Sequence, residues 1–260
     1  MKDKNFISSA MKVIKIESNA VRSLSNQIKP DFEDLCSKIL NTEGKLILMG
    51  IGKSGHIAQK ISATLSSTGT SSFFIHPTEA AHGDLGMISK KDSILILSNS
   101  GETKEIIEIL PALKRSTSNI FTLTNDNKST IAKAGTINLT IKADEEACPL
   151  DLAPTSSTTI ALVFGDALAI ALLEARGFSK DDFAKSHPAG QLGKKLTTLV
   201  QDLAVMNEKV PMVDQTKSLK EALMVVTEKK LGLTLVLNKK KIVGVFTDGD
   251  LRRCLNDEVD

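Results

Sequence analysis

The sequence has no tryptophan and no tyrosine, so ring stacking on sugars or exposed bases is poorly supplied. Its three cysteines, Cys36, Cys148 and Cys254, lie far apart with no CxxC pair. That excludes a disulfide framework and a zinc finger, and it implies reduced thiols in a reducing compartment. An excess of one charge sign is also missing. The 33 basic and 31 acidic side chains leave a net charge of +2, which gives no electrostatic basis for partners such as nucleic acid or an anionic membrane. No stretch approaches the ~20 uninterrupted apolar residues that span a bilayer. The opening residues, Met1-Lys2-Asp3-Lys4, lead into a mixed polar segment and not into the apolar core of a secretory signal. A cytoplasmic protein is expected.

A chain of 260 residues suits one large domain and a smaller one. Apolar residues at roughly helical spacing predict an amphipathic helix over 3–28 and a second over 31–42, with Gly44 as its stop. Short apolar runs then alternate with helical stretches: 45–49, 72–75, 94–97, 120–123 and 137–141, with crossovers at 57–68, 103–115 and 128–134. Such runs, bounded by Gly, Ser and Asn, are expected of buried parallel strands in repeated βαβ units. The fold class is therefore α/β, a doubly wound parallel five-stranded sheet in a three-layer αβα sandwich. A long, apolar, Ala-rich helix is predicted over 157–176, with Gly177 at its C-cap. Lys194-Lys195 and the polar run to 198 mark a linker, dividing the chain into domains 1–196 and 200–260. Past it come helix 218–229, strand 233–237, a lysine turn at 238–241, strand 242–246 and helix 249–256.

The first strand runs into Gly50-Ile51-Gly52-Lys53-Ser54-Gly55. Read literally this is the GxGxxG dinucleotide fingerprint, whose confirming feature is an acid at the end of the second strand. That strand ends Phe73-Phe74-Ile75-His76-Pro77, without one. Lys53 and Ser54 beside exposed backbone amides suit a phosphate better, although glycine turns can also be purely structural. The third strand runs into Ser98-Asn99-Ser100-Gly101-Glu102-Thr103. A helix N-cap needs one short polar residue, and this segment supplies several that can converge on one anion.

The pairing of GxGKSG with SNSGET resembles the sugar isomerase (SIS) domain family. Four further segments sharpen the match: SSTGT (66–70), EAAHGDLG (79–86), EACPLDLAPTSST (146–158) and SHPAGQLG (186–193). Over about residues 30–196 they resemble the D-arabinose 5-phosphate isomerases, which feed 3-deoxy-D-manno-octulosonate (Kdo) synthesis for lipopolysaccharide or capsule. Residues 200–260 resemble one CBS motif, with GVFTDGDLRR (244–253) as its signature. CBS motifs work in pairs and the sequence carries one, so the motif either pairs across a dimer or belongs to a longer chain. A nucleotide or sugar-nucleotide is the ligand class this motif implies.

The resemblance implies an aldose–ketose isomerase that moves one proton between C1 and C2 through an enediol. Such chemistry needs a base near carbon and a donor or cation near the oxygens, and no cofactor. It implicates Lys53, Glu105, Glu146 and His187 in catalysis, with a glutamate as base, its pKa raised by burial. His187, on a helix late in the domain, is expected to reach a neighbour's pocket in a homotetramer. Ser54, Gly69, Thr70, His76, His82, Ser98, Ser100 and Thr103 are expected to bind the sugar phosphate. All four histidines fall in these segments; His56 serves capping or packing as readily as contact, and His76 is also a candidate zinc ligand. One His without a Cys or acidic cluster does not make a metal site. The competing readings are a non-catalytic SIS-fold sensor of a sugar phosphate, and an isomerase of another phosphosugar.

Overall fold

A computed structural model describes residues 5–187 and 198–256. Two compact units divide it, Met1–Thr197 and Thr198–Asp260. In the first, five parallel strands take the order β2-β1-β3-β4-β5. They are β1 (Leu46–Met49), β2 (Ser72–Phe74), β3 (Ser93–Leu97), β4 (Asn119–Thr124) and β5 (Ile137–Thr140). The central β1 and β3 are buried along their whole length, which is why they read as unbroken apolar runs rather than alternating ones. Register pairs Leu46 with Ser72 on one side and Ser93 on the other.

Alternation sends the two side-chain sets to different helices. Leu46, Leu48, Leu95, Leu97, Phe121 and Leu123 face a core completed by α1 (Phe6–Leu24), α2 (Pro30–Leu40), α3 (Gly52–Ser67) and α7 (Ser156–Arg176). Ile47, Met49, Ile94, Ile96 and Ile120 face α4 (Pro77–Ala81), α5 (Lys104–Ser116) and α6 (Thr130–Ala134). Phe121 and Phe164 are fully buried, each contributing about 1.5–3 kcal/mol by area. By length and composition α7 is apolar enough to cross a membrane; here its Ile160, Phe164, Leu168 and Leu172 are buried in the core. It packs closely on α3, because a Cβ on Gly165 would meet Ile61 Cδ1 at 2.3 Å. The helix stops at Gly177, left-handed at φ 63°, and α8 (Lys180–Ser186) follows.

Gly44 does not stop α2, as the sequence led us to expect. The helix ends at Asn41, and Gly44 is needed because a Cβ there would meet Asp92 Oδ1 at 2.3 Å. Two short elements had no periodicity to announce them: α4, and a 3₁₀ turn at Asp84–Met87.

The second unit carries α9 (Val200–Leu203), β6 (Met212–Asp214), α10 (Leu219–Lys229), β7 (Leu233–Asn238), β8 (Lys241–Thr247) and α11 (Asp248–Asn256). Its sheet order is β6-β7-β8, parallel then antiparallel. The β7–β8 turn places Lys239 and Lys240 at φ 46° and 69°. Both are left-handed, the pattern that matches the twist of a two-residue hairpin but normally falls to Asn-Gly.

Candidate active site

In this strand order the chain winds one way from β1 to β2 and the other way from β3 onward, so the loops leaving β1 and β3 part to opposite faces. Beyond their carboxyl ends lies the crevice where open α/β sheets bind ligands. The two loops singled out in the sequence are these two. The first closes on itself through glycine: a Cβ on Gly55 would meet the Gly50 carbonyl oxygen at 2.7 Å. Gly52 sits at φ 57°, where a side chain is strained.

Helices α1, α4, α6 and α8 are capped by the side chains of Asn5, His76, Ser129 and Ser179. Helices α3 and α5 have no side-chain cap. (α2 lacks one too, but begins on Pro30, which has no N–H to satisfy.) The first-turn N–H groups of α3 and α5 are thus left to another acceptor, at the positive ends of the helix dipoles.

The 98–103 loop is internally braced. Ser98, buried, shares a 2.8 Å hydrogen bond with the Thr103 hydroxyl and accepts from the Gly101 N–H at 3.2 Å. The exposed Ser100 hydroxyl accepts from the Glu102 N–H at 3.2 Å, leaving its own proton to donate. Between the loops lies a cleft with about 420 Å³ of empty space reckoned out to solvent. Ile57, Leu97, Leu123 and Ile141 floor it; Ser54, Ser98, Asn99, Thr124, Ser157 and Thr158 give it a polar lining. Asn99, Thr124, Ser157 and Thr158 were not foreseen as site residues. The signal for Ser157 and Thr158 was present in the EACPLDLAPTSST segment; Thr124 ends a strand and nothing local distinguishes it.

Glu146 does not line the cleft itself but is joined to it through Ser157. Its Oε2 accepts from the Thr155 N–H (2.7 Å), the Thr155 hydroxyl (2.8 Å) and the Ser157 N–H (3.3 Å), so it caps α7. Burial pushes its carboxyl up, but hydrogen bonding from Ser157 and Thr155 outweighs that and holds it below the usual range. The expectation of a raised pKa is thereby reversed for Glu146, since a half-buried carboxylate with N–H donors prefers its charge. Glu105, in the first turn of α5, is exposed. Lys53 is exposed and forms no ion pair among the described residues.

The remaining candidates spread out. His76 caps α4, its Nδ1 accepting from the Thr78 N–H at 3.3 Å, and His82 is exposed at the helix's other end. Among the described residues no group of three His, Cys, Asp or Glu gathers to hold a metal, so the candidate zinc at His76 finds no companions. His56 is exposed. Gly69 and Thr70 precede β2, at the amino edge of the sheet, a strand's length from the cleft. A Cβ on Gly69 would meet the Phe178 ring at 2.4 Å, and the buried Thr70 hydroxyl accepts from Arg176 Nε at 3.4 Å. Expected as substrate contacts, they do not reach the cleft of their own chain. His187 follows α8, its ring stacked on Phe183 at 4.0 Å. The rest of the SHPAGQLG segment, 188–193, lies outside the described residues.

An SIS domain model matches residues 39–171 and a CBS domain model residues 200–257. The chain is 52% identical over 257 residues to the arabinose 5-phosphate isomerase KdsD of Pseudomonas aeruginosa, covering 98% of this chain and 79% of that one. Against KdsD of Escherichia coli K12 the identity is 48% over 257 residues, 98% of this chain and 78% of the other. The solved structure of c3406 from E. coli CFT073 in complex with arabinose 5-phosphate is 41% identical, with a TM-score of 0.69, and covers 72% of this chain and 100% of that one. With the crevice at the β1/β3 switch and identity running through both units, the chain belongs to the arabinose 5-phosphate isomerase family, an SIS domain followed by a CBS domain.

Proposed function

We propose that this protein interconverts D-ribulose 5-phosphate and D-arabinose 5-phosphate through an enediol, supplying the precursor of Kdo. The observation that carries the reading is the pair of uncapped helix starts, α3 and α5, with Ser54 of the first and Ser98 and Asn99 of the loop before the second lining one cleft. They would hold the phosphate with Ser54, Ser98, Ser100 and Thr103, while the sugar lies toward α7. The arabinose 5-phosphate bound by the solved relative is a ligand of that kind. Lys53 neutralises charge on the phosphate or the enediolate. Glu146 or Glu105 moves the proton between C1 and C2. Glu146 is ionised near neutrality, and its hydrogen bonds from the Thr155 N–H, the Thr155 hydroxyl and the Ser157 N–H end on Oε2, so Oε1 is the oxygen we assign to the transfer.

His187 would act in a neighbour's cleft. Helix α7 has 21 residues, about 31 Å at 1.5 Å per residue, and carries the chain from the cleft to the sheet's amino edge before α8 begins. His76, His82, Gly69 and Thr70 would contact substrate through the same assembly, a homotetramer in the cytoplasm. Residues 1–196 form the isomerase domain, and the CBS unit, 200–260, would bind a nucleotide or sugar-nucleotide. No metal is required, and a zinc at His76 would be incidental.

The test is to incubate the protein with D-ribulose 5-phosphate in deuterated water, with and without chelator. Arabinose 5-phosphate should form and carry solvent deuterium at C2 in both. Turnover lost to the chelator and restored by a divalent ion would end the metal-free mechanism. Tight sugar-phosphate binding with no turnover in either would make the protein a sensor.

A further inference from the structure

The phosphate loop does not hold itself in place: it is docked onto the start of α6. The Gly101 carbonyl accepts from the Ile131 N–H at 3.0 Å, and the Asn99 carbonyl from the Asn125 N–H at 2.9 Å. Glu102 reaches across to the same element, its Oε1 accepting from the Thr130 N–H at 2.7 Å. Gly101, left-handed at φ 67°, lets this happen, because a Cβ there would meet the Ser129 hydroxyl at 2.0 Å. A carboxylate in an anion-binding loop would ordinarily repel its ligand. Here its charge is spent on a backbone N–H at a helix start, where the dipole offsets it, and the side chain ties down residue 102 between Ser100 and Thr103.

We propose that Glu102 is a positioning residue for the phosphate site, acting through the Thr130 N–H to fix the Ser100–Thr103 turn against α6. The inference rests on the reading of this loop as the phosphate site. It follows that Gln, which keeps an oxygen acceptor at the same reach, should serve, and Ala should not.

The experiment compares wild type, Glu102→Gln and Glu102→Ala by steady-state kinetics, by calorimetric titration with D-arabinose 5-phosphate, and by thermal unfolding. For Glu102→Ala the KM and the dissociation constant should both rise about threefold to tenfold, as loss of a charge-assisted bond at a ground-state contact predicts, with kcat little changed. Glu102→Gln should restore both to within about twofold, as a retained acceptor predicts. Unchanged affinity in Glu102→Ala would overturn the proposal. So would a Gln variant as weak as Ala, since charge rather than the tie would then matter, or a fall in Tm that tracks the loss in both variants. If the wild type binds arabinose 5-phosphate without turning it over, the isomerase reading fails, and the titration alone decides the role of Glu102.

Discussion

Glu146 is a cap and a candidate base at once, and pH separates the two roles. Its carboxyl is held below the usual range in the folded chain, against about 4.3 when unfolded. A group of that sign stabilises fully above its unfolded pKa, and the contribution is lost as pH falls through the folded value. The wild-type Tm should therefore fall more steeply between about pH 5 and pH 3 than that of Glu146→Gln, which has no proton to take up there. Equal slopes in differential scanning calorimetry would remove the cap from the account. As a base, the same variant should lose about 10²–10⁴-fold in kcat together with C2 proton exchange. If Glu146→Gln and Glu105→Gln both still exchange and His187→Ala does not, the imidazole is the base. Glu146 became a candidate only through the EACPLDLAPTSST resemblance; its bonds to Thr155 and Ser157 join residues nine and eleven apart across an irregular loop, which no periodicity encodes.

At the scale of elements, the helix starts and the glycine turns make different demands. Ser100 lies at an uncapped helix start and its hydroxyl proton is not used by the loop. Ser100→Ala should raise KM by about tenfold or more, the worth of one hydrogen bond to a charged group, with a much smaller effect on kcat. A loss in kcat alone would mean the loop has another task. Gly69 makes a different case. It sits at φ 94° under the Phe178 ring, so Gly69→Ala should destabilise the fold by about 1–3 kcal/mol and, with Gly69 set against substrate in a neighbour's site, raise the KM of the surviving protein. A KM near wild type at a lowered Tm would instead confine Gly69 to packing under Phe178.

On the scale of the molecule, one long helix decides the form of the site. Because α7 carries the chain away from the cleft, Glu146 and His187 meet only if two copies exchange ends. Glu146→Gln and His187→Ala chains, each impaired alone, should regain turnover when co-expressed, since mixed assemblies contain clefts with both residues intact. A mixture no more active than its parts would confine the chemistry to Lys53, Glu105 and Glu146 of one chain.

The sequence by itself determined the strands, the parallel sheet and the two polar, glycine-bearing loops after β1 and β3. Each is a local statement: a strand buried on both faces must be apolar throughout, and a turn from strand into helix must be written in Gly, Ser and Thr. Gly177 fixed the end of α7 by the same local logic, as a left-handed cap. Tertiary structure decided the rest, because it depends on what comes from elsewhere in the chain. Gly44 is kept for Asp92, and Gly69 for Phe178. Glu146 has its pKa lowered by Ser157 and Thr155 rather than raised by burial. The strand order brought the loops of β1 and β3 to one crevice while leaving Gly69 and Thr70 at the sheet's other edge, since parallel strands put everything that follows them at one end and everything that precedes them at the other.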